Sequence, residues 1–134
     1  MVALESVATQ IQVLVPDDEA DARTLLDQSL QQLEDHSARR VLEHLTMAWD
    51  EGDLARLENF ENWCECAGTA AERAFLRKLN DERNPALADG IERQHRQGRR
   101  VFAAVGALHM TGPQSLPLLL AQRGFKVERV AFRR

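Results

Sequence analysis

Apolar side chains divide the chain into two unlike parts. Up to about residue 98 they recur every three or four positions, the spacing that gives a helix one buried stripe; beyond it they come in short runs. Ser6 is placed to cap a helix carrying Val7, Ile11 and Leu14, which stops before Pro16. Asp17 or Asp18 caps the next, with Ala22, Leu25, Leu26, Leu30 and Leu33 at helical spacing. A third runs from about Ser37 with Val41, Leu42, Leu45, Ala48 and Trp49 on one stripe. Gly52 ends it, and Asp53 caps a fourth with Leu54, Leu57, Phe60 or Glu61, and Cys64. Thr69 opens a fifth bearing Ala70, Ala74, Phe75 and Leu79. Proline disfavours helix in the residue before it, so Asn84 is expected to cap a fresh helix with Pro85 at its first position. Leu87 and Ile91 face inward there, and Gly98 ends it.

The second part changes period. Residues 101–108 are apolar or glycine without a charge, fenced by Gly98 and by Gly112-Pro113, and predict a strand buried on both faces. The run is too short to cross a bilayer. A last helix follows with Leu116, Leu119 and Leu120, closed by Gly124. Phe125, Val127, Val130 and Phe132 then mark a final strand, and Val2-Ala3-Leu4 is a third candidate. Strand–helix–strand with so compact a crossover favours a parallel, right-handed pair. The expected fold class is α/β: a small parallel sheet of two to three strands with a large helical insert, mostly helix by residue count. One domain covers 1–134, with the insert at 5–98 and a β-α-β unit at 99–134. So small a sheet leaves an apolar edge open, so self-association as a two-fold dimer is expected.

Composition narrows the function classes. The length of 134 residues suits one domain with a modest core. Seventeen basic against twenty-one acidic residues give a net charge of -4 without a basic block, which argues against nucleic acid. No signal-peptide layout or membrane segment is present, so the chain reads as cytosolic or already trimmed. Cys64 and Cys66, the two cysteines, would point apart on a helix and are expected to be packing or surface thiols rather than a metal or redox pair. Trp49, Trp63 and the leucines read as core. His36, His44 and His95 lack mutual metal spacing. There is no His-Glu-x-x-His, phosphate loop or serine elbow.

His109 is the polar residue best placed for chemistry. It follows Gly106 in a Gly-x-x-His pattern at the carboxyl end of the expected central strand, where ligands collect in α/β sheets. Its alternative is a strand-end histidine bonded to a carbonyl. Glu5, after an apolar tripeptide, either reaches His109 or serves as a helix-start carboxylate. A neutral imidazole and a carboxylate suit a divalent transition metal, but a catalytic site needs about three protein ligands and one open position. Arg83 can hold a carboxylate or oxyanion with both arms of its guanidinium. Asn84 either orients that site or merely caps its helix. Glu82 reads as a solvated helix residue.

Order and spacing of several motifs together resemble one family. Glu82-Arg83-Asn84, the run from Val101 to His109, Gly112-Pro113, Leu118-Leu119 and Arg123-Gly124-Phe125-Lys126-Val127-Glu128 look like the C-terminal half of the TraB/PrgY/GumN family, which includes the Tiki proteins. Leu4-Glu5-Ser6-Val7 with Gln10 is similar to its Leu-Glu-Thr segment. Trp49-Asp50-Glu51-Gly52-Asp53-Leu54 matches its helical corner. The resemblance implies a metal-dependent protease built on two Gly-x-x-His motifs. This sequence carries one, matching the C-terminal copy, and the first copy is expected upstream of Met1. The chain would then be the C-terminal portion of such an enzyme, inactive alone. A divalent Mn, Co or Zn ion would be held by His109 and Glu5 in the protein with both halves, with Glu5, Arg83 and Asn84 as catalytic residues. Its partners would be a peptide or protein substrate and either a second copy or the missing N-terminal half. The proline after Arg83-Asn84 departs from the family helix. The pheromone-shutdown branch suggests the alternative: a non-catalytic module that binds or sequesters a peptide.

Overall fold

Capping side chains set the starts of four helices. The computed structural model describes residues 1–16 and 18–131. These form α1 (Val7–Leu14), α2 (Glu19–Glu34), α3 (Ser37–Asp50), α4 (Leu54–Glu58), α5 (Phe60–Trp63), α6 (Ala70–Leu79), α7 (Asn84–Arg96), a 3-10 turn at Ala107–Met110, and α8 (Leu116–Gln122). The Ser6 hydroxyl accepts the Thr9 N–H at 3.0 Å and starts α1. Asp18 accepts from Ala20 and Asp21 at the head of α2, while Asp17, the other candidate cap, lies outside the described residues. Asp53 caps α4, and Thr69 with Glu72 forms a reciprocal capping box on α6. The fourth expected helix breaks at Asn59 into α4 and α5. Arg83, not Asn84, flanks α7, and Pro85 sits in its first turn, where the missing N–H costs no intrahelical bond.

The expected α/β sheet is not formed. Among the described residues there is no strand and no sheet; the molecule is helical. Residues 99–105 and 126–131 lie outside the helices, but no other backbone group among the described residues hydrogen-bonds to their peptide groups. A strand exists only through that exchange with a neighbour. Burial on both faces fails for the same reason. Phe102 is 93 % exposed, and of residues 101–105 only Val105 is partly buried, against the core. Phe132, expected at the end of the last strand, lies outside the described residues.

The core sits between α7 and α8, where Leu87 and Ala88 meet Leu116 and Leu119. Leu4, Val105 and Leu120 pack against this cluster. Arg123 ties the two helices together through Asp89 at 2.5 Å and Glu92 at 3.5 Å. On α7, Gly90 leaves room for the N-terminal segment: a Cβ there would come within 3.1 Å of Leu4 Cδ2. At the other end of the chain, Arg129 donates to the Gly52 carbonyl at 2.5 Å and so reaches the corner between α3 and α4.

The remaining helices leave much of their apolar surface uncovered. Trp49 is 64 % exposed and Leu26, Leu33 and Leu42 are also outside, so the expectation that these residues are core is corrected. The stripe on α3 is wider than its contacts with α2 and α4 can cover, and Ala48 is its fully buried member. Trp63 is half-buried and donates its indole N–H to the Arg56 carbonyl. Cys64 and Cys66 also depart from expectation: they are joined in a disulfide. Helical spacing does not apply, because α5 ends at Trp63 and Glu65 turns back at φ +54°.

Candidate functional site

Three segments converge on the start of α7. The seat at Gly90 fixes Leu4, and Glu5 follows it directly toward Arg83. Arg83 donates through Nε to Glu5 Oε1 at 2.9 Å and through Nη2 to Oε2 at 2.5 Å, a two-armed pair. Both side chains are withdrawn from water, at 8 % exposure for Glu5 and 20 % for Arg83. Nη1 of Arg83 is held by the Leu79 carbonyl at 2.9 Å. The guanidinium is thus engaged from within the chain, and a substrate carboxylate would have to compete with Glu5. The two-armed pair uses about half of a carboxylate's acceptor capacity, and the Gln10 side chain also hydrogen-bonds to Glu5.

The next residue, Asn84, is fully buried and organises the imidazole. Its Nδ2 donates to the Gln114 carbonyl at 2.8 Å and, more weakly, to the His109 carbonyl at 3.4 Å. Because Nδ2 is committed to two acceptors, Oδ1 is the acceptor toward His109 Nδ1, 2.7 Å away. That fixes the tautomer: Nδ1 carries the proton, and Nε2 keeps its lone pair. The 3-10 turn brings the ring here through the His109 N–H bond to the Gly106 carbonyl at 3.0 Å. His109 therefore does not end a strand. It is buried in a turn, with Asn84 rather than a backbone carbonyl on its ring nitrogen.

His109, Glu5 and Arg83 all line one trough of about 960 Å³, walled on one side by residues 1–5 and on the other by 99–106. Burial holds His109 below its ordinary pKa of 6.5, helped by the Arg83 charge and opposed by Glu5 and Asp81. The hydrogen bond from Arg83 holds Glu5 below its ordinary 4.5. Asp81 moves the other way, raised by burial and then by Glu61. Sequence reasoning passed over Asp81; adjacency to Glu82-Arg83-Asn84 was the available signal. Glu82 is exposed, as expected. His44 stands edge-on to Trp63 and His95 edge-on to Phe125, away from this site.

These shifts set a pH dependence of stability. A depressed folded pKa means that the unfolded chain binds more protons just below the group's ordinary value, so stability falls as pH falls. For His109 the loss begins below 6.5, and for Glu5 below 4.5, while Asp81 partly offsets the second limb. Urea unfolding between about pH 7.5 and 3 is expected to show both limbs. His109→Gln should remove the upper limb and keep the lower; a variant with the same profile as the parent would contradict the assignment.

A divalent metal fits part of this arrangement. Ligating imidazoles characteristically donate their second nitrogen to a fixed acceptor, which Asn84 Oδ1 provides. Glu5 is the carboxylate on the same trough. Among the described residues, however, no three His, Cys, Asp or Glu side chains are grouped to hold a metal ion. No helix among them is long and apolar enough to cross a membrane. A sequence model described as the TraB/PrgY/gumN family matches residues 1–129. No curated protein and no solved structure matches the chain.

Proposed function

The chain belongs to the TraB/PrgY/gumN family, and from that premise we propose that it supplies the C-terminal half of a metal-dependent peptidase site, with His109 as one ligand and Glu5 as a second. Residues 106–109 are the one Gly-x-x-His of this sequence, so the half alone is inactive and a second histidine-bearing segment completes it. The single observation that supports this reading is the buried Asn84–His109 bond, which prepares Nε2 as an unprotonated donor beside the trough. A bound Mn²⁺, Co²⁺ or Zn²⁺ would supply an activated water at neutral pH. The chain's own residues do the rest: Asn84 holds the tautomer, Glu5 ligates or takes the proton, and Arg83 balances its charge until a substrate carboxylate displaces it. The peptide groups along 99–105, without backbone partners among the described residues, suit an extended partner, either a strand from a longer chain or a second copy.

The test is calorimetry with Mn²⁺, Co²⁺ and Zn²⁺ on the chain alone and on a protein carrying both Gly-x-x-His motifs, with sedimentation run alongside for self-association. Weak or no binding is expected for the chain alone. In the two-motif protein His109→Ala should abolish peptidase activity, and Asn84→Ala should weaken metal binding about 10–100-fold. Equal affinity in the His109→Ala and parent proteins would sink the assignment. Metal-independent capture of a peptide without cleavage would instead support the other reading, a sequestering module.

A further inference from the structure

The disulfide between Cys64 and Cys66 joins no separate parts of the fold. It closes across one residue, so the chain entropy it removes on unfolding is small beside that of a wide loop. Stability does not account for it. Its closure also carries a backbone cost, because Glu65 is held at φ +54°, a left-handed conformation that side chains with a Cβ avoid. The Arg40 guanidinium holds Glu65 from outside at 2.8 Å. The two sulfur-bearing residues differ in access: Cys64 is 1 % exposed and Cys66 is half-buried. Beside them lies an apolar hollow of about 370 Å³ lined by Ala38, Val41, Leu42 and Leu45.

We propose that Cys64–Cys66 is a thiol–disulfide exchange site that oxidises thiols, separate from the trough at His109. An incoming thiolate attacks Sγ of the accessible Cys66. The Sγ–Sγ bond breaks, a mixed disulfide forms on Cys66, and the electron pair leaves on Cys64. The Cys66 backbone N–H, 3.2 Å from Cys64 Sγ, stabilises that leaving thiolate until solvent protonates it. A second thiol then attacks the mixed disulfide and departs oxidised, leaving both cysteines as thiols. Two thiols thus become one disulfide as this disulfide becomes two thiols. Opening the ring frees Glu65 to leave the left-handed region, which favours the forward direction.

The test equilibrates the whole chain with glutathione buffers or with a short apolar peptide containing one cysteine, traps free thiols by alkylation and reads the mass. Reduction by either thiol supports the proposal. A faster reaction with the peptide identifies a protein thiol seated in the hollow, and a faster one with glutathione a small thiol. Glu65→Gly, which removes the backbone cost without touching a cysteine, should lower the reduced-to-oxidised ratio roughly five- to thirtyfold at fixed buffer. Glu65→Gln keeps that cost and should stay close to the parent. With Cys64→Ser the remaining Cys66 should form the mixed disulfide, whereas Cys64 in Cys66→Ser should react far more slowly. Resistance to both thiols, adducts confined to Cys64, or an unchanged ratio in Glu65→Gly would each overturn the proposal.

Discussion

Replacing Arg83 with methionine is expected to cost about 3–5 kcal/mol, the range found when one partner of a buried ion pair is removed. Methionine keeps most of the aliphatic bulk, so the loss is electrostatic: Glu5, at 8 % exposure, would be left charged without its two donors. Its carboxyl would respond by moving from below its ordinary pKa toward or above it, and the acid limb of the stability profile would shrink or invert. Glu5→Leu combined with Arg83→Met is expected to recover much of the loss, because replacing both ions with apolar groups is often nearly neutral. Urea melts of the two single variants and the double variant form a thermodynamic cycle. A single-variant cost below about 1 kcal/mol, the range of exposed pairs, would mean that water reaches this pair freely.

Asn84→Leu should be nearly as damaging, about 2–4 kcal/mol, for a different reason. The two side chains are close in size, so little cavity opens, but His109 Nδ1 loses its partner in a buried place and the Gln114 carbonyl loses one in a partly buried place. Asn84→Asp separates geometry from tautomer. An aspartate can still accept from Nδ1, but it has no N–H for the Gln114 carbonyl and it favours the charged imidazolium. His109 should then titrate higher than in the parent, read from its ring proton shifts in NMR. If the His109 titration is the same in Asn84→Asp as in the parent, the hydrogen bond does not set the tautomer.

Features encoded within a few residues were legible in the sequence. Ser6 and Asp53 cap their helices as read, Asp18 is one of the two caps read for its helix, and Thr69 starts its helix where read, because a cap needs only the next two or three N–H groups. Family membership was also legible, and the matched region takes in every motif that suggested it. The sheet was misread because an apolar run records a demand for cover but not whether a neighbour is there to meet it. Residues 99–105 have no such neighbour among the described residues. Helical spacing was carried past the end of α5, which hid the bond between Cys64 and Cys66. Glu5, Arg83, Asn84 and His109 were each singled out, but their pairings were not visible. No local pattern relates Glu5 to a residue 78 positions away, and the capping preference of asparagine offered a simpler account of Asn84 than its bond to His109.

That separation has a kinetic side. Each helix can form from contacts within its own few turns, and the Asn84–His109 bond closes a loop of only 25 residues, whereas the Glu5–Arg83 pair must close one of 78. The closure entropy grows with the logarithm of loop length and is spent before the contact is made. Helices and the α7–α8 contact therefore assemble early, and the trough closes late, when Leu4 reaches its seat beside Gly90. The reverse order holds on opening. Release of the first five residues from α7 is expected to expose His109 and the head of that helix while the α7–α8 contact stays in place, so that hydrogen exchange there would run ahead of global unfolding.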